Sequence, residues 1–180
     1  VLMLAKINEI LIISDPENIL SYKKLLGTGK DLGIKFSYKV QEEPDGIASA
    51  FVLAENFIGT SNVCLILGDN LFFGPGFSHI LQEVSKEIVG ANLFVYEVSD
   101  PERFGVVELE EDGKVKSILE KPKKPKSNLA ITGLYFYDNS IVEISKNIPF
   151  SKRGEREITD VNKIYLKKNK IKVNTLGRGF

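Results

Sequence analysis

Asp69 and Asn70 follow an apolar run, Val63–Leu67, that ends in Gly68. A continuous apolar run suits a strand buried on both faces. In open α/β sheets, ligands bind just beyond the carboxyl ends of such strands. Asp69 is therefore placed where a rigidly held carboxylate meets a ligand. As a hard oxygen donor it is a candidate Mg²⁺ ligand, because magnesium commonly joins one or two carboxylates to substrate phosphates. Gly-Asp-Asn is also favoured turn chemistry, so this stretch alone weighs turn and site evenly.

Other polar residues fall at strand ends. Glu120-Lys121 closes the run Val115–Leu119. A carboxylate there suits sugar hydroxyls, and a lysine meets phosphate as a point charge; a plain exposed ion pair is the commoner fate of such a pair. Arg153-Gly154-Glu155 sits in a loop before a helical stretch. Its guanidinium suits phosphate bidentately, although many loop arginines are merely solvated. Gln41 ends a strand, and its amide offers one donor face and one acceptor to a base edge. Gly46, opening the next helix, permits close backbone approach to a ligand. Each signal is weak alone; their shared place on one rim of a sheet is the stronger argument.

Several chemistries are poorly supported. The chain has one histidine, His79, which argues against a Ser-His-Asp triad or a His-based metal site. Neither a Walker loop nor a GxGxxG fingerprint is present. Lys plus Arg and Asp plus Glu number 24 each, so no whole-chain charge draws it to nucleic acid or an anionic membrane. The run KPKKPK (121–126) reads as a solvated, proline-stiffened loop. The single cysteine, Cys64, lies inside the apolar run, where it acts as a small hydrophobe and fits a reducing compartment. No apolar run approaches the roughly 20 residues of a membrane span.

The elements that must position these groups read as an alternation. Val1–Ala5 reads as the tail of a helix and Glu9–Ser14 as a buried strand. Asp15–Pro16 starts a helix, and Ile34–Val40 is a strand. Ile47–Phe57 carries helical spacing. After the LGDN loop come a helix over Phe77–Ile88, with His79 on its surface, and a strand over Asn92–Val98. Phe104–Leu109 and Val115–Leu119 form a hairpin around an Asp-Gly turn. Ala130–Tyr137 is a strand, a short helix runs to Lys146, Glu157–Lys168 is amphipathic, and Lys172–Leu176 is a strand. Early β-α alternation predicts an α/β domain with a mixed, mainly parallel sheet and helices on both faces. A single domain over 1–180 is the simplest division. The opening on Val1 and the close at Gly179–Phe180 suggest a piece of something longer.

In order, EILIIS (9–14), QEEPDGIASAF (41–51), LGDNLFFG (67–74), DPERFGVVE (100–108), LEKPKKPKSN (119–128), TGLYFYD (132–138) and RGEREITDVNKIYL (153–166) resemble the sugar-1-phosphate nucleotidyltransferases, and most closely their thymidylyltransferase branch. The resemblance implies a Rossmann-like nucleotidyltransferase core that joins dTTP and glucose 1-phosphate into dTDP-glucose, with Mg²⁺. It implies that Gln41, Pro44 and Gly46 contact the thymidine, with Gln41 reading the base. Asp69 binds Mg²⁺ beside the nucleotide, and Asn70 lies by the sugar phosphate. Gly105, Glu120 and Ile131 line the glucose pocket, with Tyr135 supporting it. Lys121 and Arg153 hold phosphates as the catalytic pair. A cytoplasmic homo-oligomer is implied as well. The family's GGxGTRL-type phosphate loop and its WLDTG-type segment have no counterpart here, and Phe104 stands where relatives usually carry tyrosine. A catalytically incomplete portion, a binding module without turnover and a UTP-using relative are the alternatives.

Overall fold

Residues 1–177 are described by a computed structural model; Gly179–Phe180, where the sequence closes, lie outside them. The helix tail expected at Val1–Ala5 is a single turn. The Lys6 amide donates to Met3 and the Ile7 amide to Leu2, with Lys6 at φ 60°. This is the Schellman arrangement that ends a helix. Strands β1 (Glu9–Ser14) and β2 (Lys35–Val40), joined through α1 (Ile19–Leu26), pair in parallel.

The helix expected over Ile47–Phe57 is two short ones, α2 (Ser49–Leu53) and α3 (Glu55–Ile58). Between them the Phe57 amide bonds the carbonyl of Ala54, three residues back, and this tighter winding interrupts the α-helical ladder. Then follow β3 (Val63–Ile66), α4 (Phe77–Lys86), β4 (Ala91–Glu97), β5 (Gly105–Leu109), β6 (Val115–Glu120), β7 (Leu129–Tyr137), α5 (Ile141–Asn147), α6 (Ile158–Lys167) and β8 (Ile171–Leu176). Gly113, at φ 82°, supplies the left-handed position of the β5–β6 turn.

β7 is the spine. One of its edges pairs with β4; the other is shared, β3 taking Leu134–Tyr137 and β5 taking 129–130. All three pairings are antiparallel, whereas β8 lies parallel to β4. The sheet is mixed, as expected. Its parallel character lies in direction: β3, β4, β5 and β8 all run one way, with β7 running back among them. β1 and β2 form a separate two-stranded sheet with no ladder to the six-stranded one among the described residues.

Side chains alternate across β4 and β7, as pleated strands require. Leu93, Val95, Tyr135 and Tyr137 pack with residues of α2, α5 and α6; Phe94, Leu134 and Phe136 pack with Phe77 and Leu81 of α4. Helices thus cover both faces.

The end of β7 is tied down by Asp138. One carboxylate oxygen accepts the Gly90 amide at 2.9 Å; the other accepts the Tyr165 hydroxyl at 2.9 Å and the Ser140 hydroxyl. Burial alone raises its pKa, but these donors outweigh burial and hold it below the usual carboxylate range. A depressed folded-state pKa gives stability present above the unfolded value, near pH 4, and lost as pH falls through the folded one. Urea midpoints for the native chain and Asp138→Asn should therefore differ at pH 7 and converge below about pH 4. A gap that stays constant down to pH 2.5 would rule out the ionised carboxylate as its source.

Candidate active site

β7's second edge changes hands between β3 and β5, and a cavity of about 290 Å³ opens nearby. Its wall gathers six of the residues singled out from the sequence: Gly105, Glu120, Lys121, Ile131, Tyr135 and Arg153. The β5–β6 register explains part of this. Gly105 stands directly opposite Glu120. A Cβ on Gly105 would lie 3.4 Å from the Glu120 carboxylate and 3.5 Å from Ile131. The missing side chain is what leaves the carboxylate open to a ligand.

Glu120 is held in place. The Thr159 hydroxyl, buried in the first turn of α6, donates to it at 2.5 Å. Arg153 approaches the other oxygen at 3.7 Å. Arg153 itself is engaged more closely by Glu157 at 2.9 Å and Glu155 at 3.3 Å. The hydrogen bond to Glu157 leads the causes that raise its pKa further above its ordinary value. Three carboxylates face three cations here, since Arg103 and Lys121 also line the wall. Such a cavity favours hydroxyls at the carboxylates and a single phosphate at the cationic edge, rather than a dense polyanion.

Lys121 follows β6 at φ 40°, in the left-handed region, with its amide donating to the Phe104 carbonyl. That backbone costs a non-glycine residue about 1 kcal/mol. Asparagine tolerates it better, so Lys121→Asn should leave thermal stability unchanged or slightly raised while weakening the binding of inorganic phosphate at this cationic edge. Melting curves and phosphate titrations on the two proteins check this; a lower melting point would mean the lysine stem carries packing instead.

Tyr135 is a buried wall, its hydroxyl pushed above its ordinary pKa first by burial and then by the Glu120 charge. It stacks on Tyr137 at 6.0 Å, which stacks on Tyr165 at 5.5 Å. This ring column transmits the Asp138 anchor to the cavity wall.

The residues expected at the nucleotide, Gln41, Pro44, Gly46 and Asp69, are not in the wall of this cavity. The Gln41 amide donates to Asp45 at 2.6 Å. Asp45 accepts the Arg156 amide at 2.8 Å, and the Ala48 amide donates back to Arg156 at 3.3 Å. Gly46, between them at φ 100°, lies flat on Arg156, where a Cβ would meet its carbonyl oxygen at 2.5 Å. So Gly46 serves chain-to-chain approach. Pro44 sits within this strapped loop, and Ile47 reaches the Glu120 cavity. Asn70 accepts the Gly133 amide at 2.9 Å and donates to Asp69 at 2.7 Å, pinning the LGDN turn to β7. The turn reading of this stretch holds: Asn70 also closes a turn onto the Leu67 carbonyl.

Thr159, Glu157 and Arg156 were not singled out for roles from the sequence. Thr159 lies on the buried face of α6 with a second polar residue, Asn162, and hydrophobic spacing does not distinguish the two. Asp69 is exposed, and no group of three or more His, Cys, Asp or Glu side chains suited to a metal occurs among the described residues. One hard carboxylate fits Mg²⁺ that is shared with phosphates; it does not make a self-contained metal site.

The Neisseria meningitidis glucose-1-phosphate thymidylyltransferase is 53% identical over 180 residues, all of this chain and 62% of the relative. The Mycobacterium tuberculosis enzyme of the same name is 46% identical over 178 residues. The chain thus spans about 62% of the length of these relatives. A solved structure from Bacillus anthracis, assigned as a glucose-1-phosphate thymidylyltransferase and holding sucrose, superposes with a TM-score of 0.89 at 38% identity, covering 99% of this chain and 72% of that one. A UDP-glucose pyrophosphorylase with UDP-glucose superposes at 0.78 and 24% identity, over 97% of this chain and 75% of that one, a likeness of fold alone. Residues 1–180 match the family described as nucleotidyl transferase, and the chain belongs to that family.

Proposed function

We propose that this polypeptide serves the transfer of a thymidylyl group from dTTP to glucose 1-phosphate, giving dTDP-glucose and pyrophosphate. The observation that carries the reading is Glu120, fixed by Thr159 over the open Gly105 backbone and edged by Arg153 and Lys121. A carboxylate held this way accepts hydroxyls of a sugar; the neighbouring cations take its phosphate.

In this reading the sugar phosphate oxygen attacks the α-phosphorus in line, and pyrophosphate leaves from the far side. Such transfer depends mainly on positioning and on fixed charge at the developing anion. Glu120 and Tyr135 orient the sugar. Lys121 and Arg153 neutralise phosphate, Arg153 exchanging part of its contact with Glu157 for the ligand. Gln41 presents its amide to the base. Asp69 would hold Mg²⁺ with phosphate oxygens, and the ion supplies charge neutralisation there.

Two assays test the reading. Pyrophosphate release from dTTP, glucose 1-phosphate and Mg²⁺ is expected to need all three. Competition between dTTP and UTP distinguishes the thymidine reading from a uridine-using relative. Nucleotide binding without release would make these residues a binding module without turnover. Glu120→Gln keeps the shape but weakens charged hydrogen bonds of about 1.5–3 kcal/mol. It should raise KM for glucose 1-phosphate by about 10- to 100-fold with little change for dTTP; equal effects on both substrates would remove Glu120 from the sugar side.

A further inference from the structure

Gln41 and Asp45 stand at the two ends of a short loop with little freedom left. The Gln41 backbone N–H donates to the Ser14 carbonyl at 2.9 Å, which ties it to the end of β1. The Asp45 carbonyl accepts the Arg156 amide at 2.8 Å and the Ser49 hydroxyl at 3.1 Å. The Asp45 amide donates to the Glu43 carbonyl at 2.8 Å, and the ring of Pro44 fixes a backbone angle between them. Gly46, next in the chain, lies flat on Arg156. Gln41 and Asp45 are half-buried, whereas Glu42, Glu43 and Pro44 are exposed. The contact between the two side chains, 2.6 Å from Gln41 Nε2 to Asp45 Oδ1, is thus held from both ends.

That contact decides which way the amide faces. A carboxylate only accepts, so the NH2 end of Gln41 must point at Asp45. The carbonyl oxygen Oε1 is then turned away, and no donor among the described residues meets it. An untethered glutamine reads no particular edge, because turning its amide over exchanges donor for acceptor. Gln41 lacks that freedom. Turning it over would set Oε1 against the Asp45 carboxylate, two acceptors with no proton between them. Its outward face is therefore an acceptor, with the second Nε2 hydrogen beside it.

On the proposed reading Gln41 meets a thymine. The pairing edge of thymine has a single donor, N3–H, between two carbonyl oxygens. An outward Oε1 accepts that proton, and the second Nε2 hydrogen reaches a flanking oxygen. Cytosine carries a lone pair at N3 in place of the hydrogen, so it meets Oε1 acceptor to acceptor. Uracil has the same edge as thymine and passes. Resting on that reading, we infer that Asp45 is a positioning residue for base choice. By locking the Gln41 amide with its oxygen outward, it selects bases with an N3–H, thymine and uracil, over cytosine.

Titration calorimetry with dTTP and with dCTP, in the presence of Mg²⁺ and without sugar phosphate, tests this on the whole chain. The native chain should bind dTTP about 10- to 100-fold more tightly than dCTP, the range for one base-edge contact made or refused. Asp45→Asn keeps the size and the backbone bonds but offers Gln41 either an oxygen or an NH2. Both amide orientations then open, and the preference should fall to within about threefold, chiefly through tighter dCTP. Gln41→Ala should erase the preference as well, and adding Asp45→Asn to it should change nothing further. A merely structural Asp45 would weaken both nucleotides alike in either background. Equal weakening, an Asp45→Asn effect that persists without Gln41, or a native chain that binds the two nucleotides equally or not at all overturns the proposal. The two failures are distinct. A dTTP preference with no pyrophosphate released sinks the proposed reaction alone; release from dTTP and dCTP at equal rates sinks the role of Asp45 alone.

Discussion

Asp69→Ala is expected to reduce Mg²⁺-dependent pyrophosphate release by about 10²- to 10³-fold, the scale for losing one charge-stabilising group at a transferring phosphoryl centre. The turn itself should survive. Asn70 still accepts the Gly133 amide, and its own amide still closes on Leu67. The side chain that loses a partner is the exposed Asn70 amide, which water can satisfy. Folding should therefore be nearly unchanged while the apparent Mg²⁺ requirement rises steeply. A magnesium titration of turnover, with melting curves alongside, reads both. A native rate in the variant would mean that Asp69 is only a turn residue.

Gly46→Ala should be the most disruptive substitution for the fold near the site. The new Cβ meets Arg156 backbone atoms at 2.5, 2.7 and 3.0 Å, and φ 100° is hostile to any side chain. Neither side yields easily, because the Asp45–Arg156 and Ala48–Arg156 hydrogen bonds flank the clash. A cost of about 3 kcal/mol or more follows, or roughly 6–12 °C in melting temperature at this size. On the proposed reading, nucleotide binding should fail with it, since Gln41 is fastened to Asp45. A loss under about 1 kcal/mol, again by melting, would show that the loop parts from Arg156 without strain.

Local patterns were legible where neighbours in sequence decide the structure. The EILIIS strand, the aromatic β7 and the Asp-Gly hairpin follow from runs and turn residues, and the structure keeps their bounds within a residue or two. Glu120 and Gly105 came together because a hairpin register aligned them. What escaped depends on distant pairs. Thr159 reaches Glu120 across 39 positions, and Arg156 straps a loop more than a hundred residues earlier. Hydrophobic periodicity carries no trace of such contacts. The separation of β1–β2 from the larger sheet escaped for the same reason, because apolar runs specify buried strands without naming their partners.

β7's shared edges also govern the order of assembly during synthesis. β3, β4 and the β5–β6 hairpin all find their partner in a strand made after them. From Glu97 to Tyr137, translation at about 5–20 residues per second takes roughly 2–8 s. For that interval the nascent chain holds apolar strands with no sheet to join, among them Ala91–Val95, which end fully buried. Non-local pairing of this kind is slow and aggregation-exposed, so the molecule's dependence on chaperones should peak just before Leu129–Tyr137 is made, and end abruptly once that strand has emerged.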